Sequence, residues 1–130
     1  MGETELFNRL KDNLVPDLKH NNEYDTIDAS SDEYGMKFEL KCRDKHYDTV
    51  LIEKSKYDDL VASGRHRYVV STPQGIWSFN FNELPEPKWR SQRMIASTNF
   101  FRNVDFVNKI VGYVDISSGK NISEYLEFQP

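Results

Sequence analysis

Cysteine is nearly absent from this 130-residue chain, in which Cys42 stands alone. A single cysteine excludes a disulfide within the chain and a zinc site built from several cysteines. The three histidines, His20, His46 and His66, lie at no spacing typical of metal ligands, either with one another or with Cys42. A chain with so little cysteine is typical of a reducing compartment, and we therefore predict a cytoplasmic, intracellular protein.

Long apolar runs and clustered glycines are also missing. No stretch approaches the roughly 20 apolar residues of a membrane-spanning helix. The first residues, Met-Gly-Glu-Thr-Glu, lack the basic and then apolar pattern of a signal peptide. The glycines are isolated from one another, so the chain has neither a phosphate-binding loop nor a dinucleotide-binding motif. We therefore predict no membrane association and no nucleotide cofactor.

The chain also lacks an excess of positive charge, because its formal net charge is −4. A protein that binds nucleic acid indiscriminately is usually basic. Carboxylates gathered around a metal site also make a chain acidic, and the bound cations then change the local field. A protein that acts on nucleic acid through a metal therefore remains compatible with this charge, provided that it has a local basic patch.

The overall composition is that of an ordinary globular protein, with 38% hydrophobic and 29% charged residues. The length is near the commonest domain size and is sufficient for a core. No internal repeat, low-complexity tract or linker divides the chain. We therefore predict one domain over residues 1–130, with a core of about residues 3–71 and an aromatic-rich extension of about residues 72–130.

The rest of the chain is organised around residues 24–41, which have the pattern of two antiparallel strands joined by a tight turn. The turn sequence is Asp-Glu-Tyr-Gly at residues 32–35, and Gly35 can adopt a positive φ. The pattern predicts strands over about residues 24–31 and 36–43.

This hairpin brings three chemically useful side chains together. With the turn centred on its two middle residues, Asp28 lies directly opposite Glu39, with Cβ atoms about 5 Å apart. Lys41 follows two residues later and therefore emerges on the same face of the sheet. Asp25 would face Glu39 only if the turn were displaced, so it remains the second candidate.

Two carboxylates and an ammonium on one face are what metal-assisted phosphodiester hydrolysis requires. A divalent cation lowers the pKa of bound water and neutralises phosphate oxygens. Mg²⁺ prefers oxygen ligands and keeps several waters, so Asp28, Glu39 and the backbone carbonyl of Leu40 are sufficient ligands for Mg²⁺ or Mn²⁺. Lys41 would orient the attacking water or hold a phosphate oxygen. On an exposed strand, however, alternating acidic and basic side chains are also common without any catalytic role, as solvated residues that form cross-strand salt bridges.

The elements around the hairpin follow a recognisable order. Helical spacing predicts an amphipathic helix over about residues 3–14, on which Glu3 lies on the inward stripe and Glu5 projects away from it. After the hairpin, residues 49–52 have the pattern of a strand buried on both faces. A helix then begins near Ser55, and a strand over about residues 67–71 completes a parallel β-α-β unit. Further strands are predicted at about residues 76–81 and 109–116.

This order resembles the PD-(D/E)XK, or restriction-endonuclease-like, nuclease superfamily over about residues 3–71. The residues that carry the resemblance are Asp28, Glu39, Lys41 and, at the start of the second helix, Lys56. The chain departs from the superfamily pattern in one respect, because no proline precedes either candidate aspartate, which leaves the choice between Asp25 and Asp28 open.

The resemblance implies an α/β fold with a single mixed β-sheet flanked by helices. The implied core order is α-β-β-β-α-β, with an added β-hairpin and a C-terminal strand. It also implies a Mg²⁺-dependent nuclease with Asp28, Glu39, Lys41 and Lys56 as site residues. Many members of the superfamily add an acid from the first helix, which here would be Glu3 or, less well by its face, Glu5.

We predict contacts with DNA from the basic and aromatic segment of residues 88–93 and from Arg43, which follows the hairpin. Trp89 is a candidate stacking platform, and the basic side chains are candidate phosphate contacts. The ordinary alternative is that the arginines are surface residues and the tryptophan belongs to the core. The candidates are Arg43, Lys88, Trp89, Arg90 and Arg93.

Two functions follow from these observations. The first is a divalent-metal-dependent endonuclease that hydrolyses DNA, and the second is a catalytically inactive module of the same fold that binds protein or nucleic acid. The aromatic-rich second half also allows a homodimer, in which two sites would address two strands. The compact size is compatible with a phage-encoded protein.

Overall fold

The computed structural model describes residues 1–95 and 106–130. These residues form two α-helices, nine strands and three short 3₁₀ turns. The helices are α1 (Glu3–Asn13) and α2 (Lys54–Ala62). The strands are β1 (Lys19–His20), β2 (Ala29–Ser31), β3 (Met36–Cys42), β4 (Thr49–Glu53), β5 (His66–Thr72), β6 (Gly75–Phe79), β7 (Arg90–Ile95), β8 (Phe106–Asp115) and β9 (Lys120–Asn121).

The main sheet is mixed and has the strand order β1-β2-β3-β5-β6-β9. β3 and β5 are parallel neighbours, whereas the other pairs are antiparallel. The two helices lie on opposite faces of this sheet, each over its own apolar cluster. The predicted α/β class with a mixed sheet flanked by helices is therefore confirmed.

The alternation of side chains along β3 decides which face carries the polar residues. Phe38 and Leu40 are buried in the cluster that α1 covers. Because neighbouring side chains on a strand point to opposite faces, Lys37, Glu39 and Lys41 lie on the α2 side. The acid and both lysines therefore share the face that α2 partly covers.

The structure differs from the prediction in the place of β4. It was expected to be buried on both faces and parallel to β5, but it pairs antiparallel with β8 in a second sheet of order β4-β8-β7. The burial pattern gives the reason, because Val50 and Ile52 are buried while Thr49 is exposed and Leu51 is only half-buried. Such a strand has one buried face, and the long β8 provides its partner. The strands therefore form two sheets rather than the single sheet expected.

The first strand of the hairpin is shorter than predicted. β2 covers only residues 29–31, because the preceding residues form turns. The N–H of Asp25 donates to the carbonyl of Asn22 at 2.8 Å, and the N–H of Asn22 donates to Asp25 Oδ2 at 3.0 Å. Asn and Asp side chains favour such local bonds over a strand ladder. The two-residue β1 was missed, since its residues looked like a polar connector.

The predicted register of the hairpin is confirmed. Ala29 faces Phe38, and Ser31 faces Met36 at the turn. Gly35 closes this turn with a φ of 59°. The next position outward therefore sets residue 28 against Glu39.

The second half of the chain supplies the second sheet and the edge of the main one. The last predicted strand is present as the longer β8, which pairs with β7 to form a hairpin. Residues 96–105, which belong to the aromatic-rich extension, lie outside the described residues. No helix in the described ranges is long and apolar enough to cross a membrane.

Candidate active site

The carboxylates of Asp28 and Glu39 meet where the chain enters β2, beside the middle of β3. The N–H of Asp28 donates to Glu39 Oε1 at 3.3 Å, and the N–H of Leu40 donates to Asp28 Oδ2 at 3.0 Å. Each carboxylate therefore accepts a hydrogen bond from a backbone N–H on the other side of the hairpin, and these bonds hold both side chains in place. This is the pair that the register predicted.

Glu39 is unusually buried for an acid, with 8% of its surface exposed. Burial, followed by the charge of Asp28, raises its pKa to about 7, whereas the charge of Lys56 acts in the opposite direction. Lys56 Nζ lies 3.5 Å from Glu39 Oε2 and also donates to the carbonyl of Thr26. The lysine at the start of α2 thus reaches the acid on β3, as the resemblance implied.

Glu3 faces the same cluster from the first turn of α1. Its pKa is raised, first by partial burial and then by the charge of Asp28. The charges of His20, Lys41 and Lys56 lower the same pKa. Five ionisable groups from different elements are therefore close enough to act on one another electrostatically.

The neighbour of Glu3 that sequence reasoning missed is His20. Its ring stacks on Phe7, one helical turn after Glu3, with ring centroids 3.7 Å apart and an interplanar angle of 11°. β1 brings it there by pairing with β2, where His20 faces Ala29. A two-residue strand has no periodicity, so the sequence carried no signal for this position.

Lys41 and the Leu40 carbonyl occupy the open side of the site. Lys41 is exposed, and the described part of the chain gives it no carboxylate within 4.0 Å. The N–H and C=O of one strand residue point to the same edge. Because the Leu40 N–H bonds to Asp28, its carbonyl also faces that side of β3.

Two predicted acids do not join the cluster. Asp25 is exposed and its carboxylate accepts from the N–H of Asn22 within its own turn. Glu5 forms an ion pair with Arg9 at 3.0 Å on the outer side of α1. Asp28 and Glu3, the first choices at each position, are the ones that the fold brings to the cluster.

The donor set at this point suits a hard divalent cation. Within residues 1–95 and 106–130, no group of three or more His, Cys, Asp or Glu side chains is arranged to hold a metal. Mg²⁺ is commonly held by one or two carboxylates and keeps several waters. Burial and then the charge of Asp28 raise the pKa of Glu39, and a cation beside it would favour the ionised carboxylate. The oxygen donors of Asp28, Glu39 and Leu40 therefore fit Mg²⁺ or Mn²⁺.

The candidate DNA contacts are divided between two places. Arg43 follows β3 two residues beyond Lys41 and is half-buried. Lys88 is exposed just before β7. On the β7–β8 hairpin, the guanidinium of Arg90 lies 4.8 Å from the ring centre of Tyr113, and that of Arg93 lies 4.2 Å from the ring centre of Phe106. Arg43 thus follows a strand of the main sheet, whereas Arg90 and Arg93 lie in the second sheet.

Trp89 is packed rather than presented as a stacking platform. Its ring meets Tyr57 of α2 edge-on at 5.0 Å, and a Cβ on Gly112 would lie 3.0 Å from its ring atoms. Its Nε1 is buried without a hydrogen-bond partner among the described residues. The geometry therefore agrees with the core alternative for this tryptophan.

The fold and the position of this cluster define a class: an α/β protein whose mixed main sheet carries two facing carboxylates on the side of its second helix. The chain is similar to a solved structure of Hjc, a Holliday junction resolvase from the archaeal hyperthermophile Archaeoglobus fulgidus. The TM-score is 0.54 over 99% of both chains, at 13% sequence identity. No protein-family model and no curated protein sequence matches the chain. The resemblance predicted from the sequence is thereby confirmed at the level of the fold.

Proposed function

We propose that this protein is a divalent-metal-dependent endonuclease that hydrolyses phosphodiester bonds of DNA. The observation that carries the proposal is the pairing of Asp28, just before β2, with Glu39 in the middle of β3, with Lys41 and Lys56 beside them. The similarity of the whole chain to a Holliday junction resolvase supports a nuclease scaffold.

Each residue has a distinct role in this proposal. Asp28, Glu39 and the Leu40 carbonyl hold Mg²⁺ or Mn²⁺, which when bound activates water and neutralises phosphate charge. Lys41, exposed on the open side, orients the attacking water or holds a nonbridging phosphate oxygen. The positive charge of Lys56 favours the ionised form of Glu39.

The substrate class follows from the neighbour by analogy. That protein is described as a Holliday junction resolvase, so branched DNA is the first substrate to test. Arg43, Lys88, Arg90 and Arg93 are the proposed phosphate contacts.

The test compares cleavage of plasmid, linear and four-way-junction DNA with Mg²⁺, Mn²⁺ or EDTA. We expect Asp28→Asn and Glu39→Gln each to lose at least about 100-fold in rate, because each removes a charged metal ligand. Asp25→Asn is the matched control and should cleave like the wild type, since its carboxylate belongs to a separate turn.

Lysines on the same strand provide a second matched pair. Lys41→Ala should retain Mn²⁺ binding by calorimetry and lose about 100-fold in rate. Lys37→Ala, on the same face of β3, should retain both Mn²⁺ binding and the rate of cleavage. No cleavage of any DNA, together with no detectable metal binding, would contradict the proposal.

A catalytically inactive binding module is the second candidate. It is favoured by the absence of a three-ligand metal group from the described ranges. Junction binding that is unaffected by Glu39→Gln, in a protein that never cleaves, would select this candidate.

A further inference from the structure

A cleft of about 330 Å³ opens between the two sheets, beyond the carboxyl ends of β3 and β5. One wall is formed by Val70 and Thr72 of β5, and the other by Leu51 of β4 with Tyr113 of β8. Such a volume lies within the range of small-ligand sites. The candidate active site accounts for none of these residues.

The lining of the cleft combines three kinds of surface. Leu51, Val70 and Ile116 contribute apolar surface, and Tyr47 and Tyr113 contribute aromatic rings. Arg43 and Lys45 lie on the same lining, and neither has a carboxylate within 4.0 Å in the part of the chain that the structure describes. Aromatic rings beside cations are the surface that a nucleobase and its phosphate require.

The segment that carries Arg43, Lys45 and Tyr47 is held in place at both ends. The N–H of Arg43 donates to the carbonyl of Ser71 at 2.8 Å, and the N–H of Ile116 donates to the carbonyl of Asp48 at 2.8 Å. Between these bonds, His46 Nδ1 lies 2.9 Å from Thr72 Oγ1. A ligand entering the cleft would therefore meet a largely formed surface, which reduces the entropy lost on binding.

Tyr113 and Tyr68 fix the inner walls of the cleft. Tyr113 Oη donates to Gln92 Oε1 at 2.6 Å, which orients the Tyr113 ring. Tyr68 Oη donates to the carbonyl of Leu51 at 3.2 Å and so joins β5 to β4. By contrast, Tyr47 is 62% exposed and is free to cover a ligand from outside.

The cleft lies a short way along β3 from the candidate active site. Arg43 follows Glu39 by four residues and Lys41 by two, and all three share one face. At about 3.3 Å per residue, its Cα lies roughly 13 Å from that of Glu39 and roughly 7 Å from that of Lys41. A DNA strand bound at the acids would therefore pass the cleft within a few nucleotides.

We propose that this cleft takes a single unstacked nucleobase of the DNA substrate, with Tyr47 stacking on the base and Arg43 binding its phosphate. A paired base cannot enter such a cleft without leaving the helix, at a cost that is least for an unpaired base. The protein therefore favours DNA that has an unpaired nucleotide close to the cleaved bond. This inference rests on the proposed nuclease function, because the acids define where the strand runs.

The test measures binding rather than cleavage, in EDTA. Two short duplexes are compared by fluorescence titration: one has a single bulged 2-aminopurine nucleotide beside a fluorescent end label, and its twin has an abasic bulge with the same label. The wild type should bind the base-containing bulge about tenfold more tightly than the abasic one, as expected for stacking on an aromatic side chain. The 2-aminopurine emission should be quenched on binding.

The variants separate stacking from phosphate binding. Tyr47→Ala should abolish the preference for the base, and Tyr47→Phe should keep it. Tyr125→Ala is the control, since Tyr125 is 52% exposed at the other edge of the main sheet, after β9. Arg43→Gln should weaken binding of both duplexes equally, whereas Arg67→Gln, on the α1 side of the sheet, should weaken neither.

The outcomes distinguish this inference from the nuclease proposal. Equal binding of both bulges by the wild type, or a preference that survives Tyr47→Ala, overturns the cleft assignment while leaving cleavage untouched. A base preference that depends on Tyr47, in a protein that shows no cleavage with any metal, supports the cleft and contradicts the nuclease.

Discussion

Glu39 shows how one side chain can couple the chemistry of a site to the stability of the fold. Its carboxylate is buried on β3 beside a second acid, and Lys56 is the cation paired with it in the described structure. The fold therefore holds an acid whose ionisation is unfavourable, with a pKa of about 7. Raised pKa values are common where a protein is built to receive a cation or to move a proton.

The first prediction concerns stability against pH without metal. The pKa of Glu39 is about 7 in the folded chain against an ordinary 4.5, so the folded chain binds the proton more tightly. The free energy of unfolding should therefore fall as the pH rises from about 4.5 to 7, by on the order of 3 kcal/mol, and level off above that. Urea unfolding in EDTA across this pH range measures the change in the free energy of unfolding.

The variant Glu39→Gln isolates this contribution from those of other groups. It cannot ionise, so it should match the wild type near pH 4.5 and exceed its stability at pH 8 in EDTA. His66, whose pKa burial lowers, titrates in both proteins and cancels in the comparison. Identical pH profiles for the two proteins would contradict the assignment. Adding Mn²⁺ at pH 8 should stabilise the wild type more than the variant.

At the scale of the element, the tight turn between β2 and β3 determines which residues face each other. A shift by one residue would move every side chain of one strand to the opposite face. Gly35 makes the turn possible, because its φ of 59° is rarely adopted by residues with a side chain. The pairing of Asp28 with Glu39 therefore depends on four residues of turn.

The second prediction tests this turn. Gly35→Ala should destabilise the fold by about 1 kcal/mol, and the cost should be purely conformational, because no atom lies within 4 Å of the added Cβ. Glu33→Ala is the matched control, since Glu33 is an exposed residue of the same turn without a positive φ. Urea unfolding of both variants measures the difference. Equal effects at the two positions would contradict the argument.

At the scale of the molecule, the described chain presents one pair of facing acids, whereas the proposed substrate, a DNA junction or duplex, has two strands to cut. The β7–β8 hairpin leaves the side chains of Phe106, Val107 and Ile110 exposed. A second copy that covers them would also supply a second site, as symmetric dimers do. The exposed hairpin thus offers a surface for the homodimer that the sequence allowed.

The third prediction is therefore a homodimer. Light scattering at micromolar concentration should give twice the chain mass of 15.3 kDa. Ile110→Lys should give the monomer mass, because it places a charge in the apolar contact. Leu14→Lys is the control, since Leu14 is an exposed apolar residue at the end of α1, which packs on the opposite face of the main sheet from α2. A wild-type monomer would rule out this dimer.

Much of the candidate site was predictable because it is local. The turn composition of residues 32–35 and the two-residue periodicity of the strands were sufficient to choose Asp28 over Asp25. Helical spacing likewise predicted α1 and the inward position of Glu3. His20 and the cleft at Tyr47 were not predictable, because they depend on a strand of two residues and on how two sheets meet.

The sequence by itself determined the elements whose contacts are close along the chain: α1, the hairpin and its register. Only the tertiary structure decided that β4 joins β8, that Lys56 reaches Glu39, and that a cleft opens beside Arg43. The physical reason is that several strands could pair with β4, and the choice depends on which face each can bury. Local turn chemistry fixes a hairpin, whereas long-range pairing is settled only by packing the whole chain.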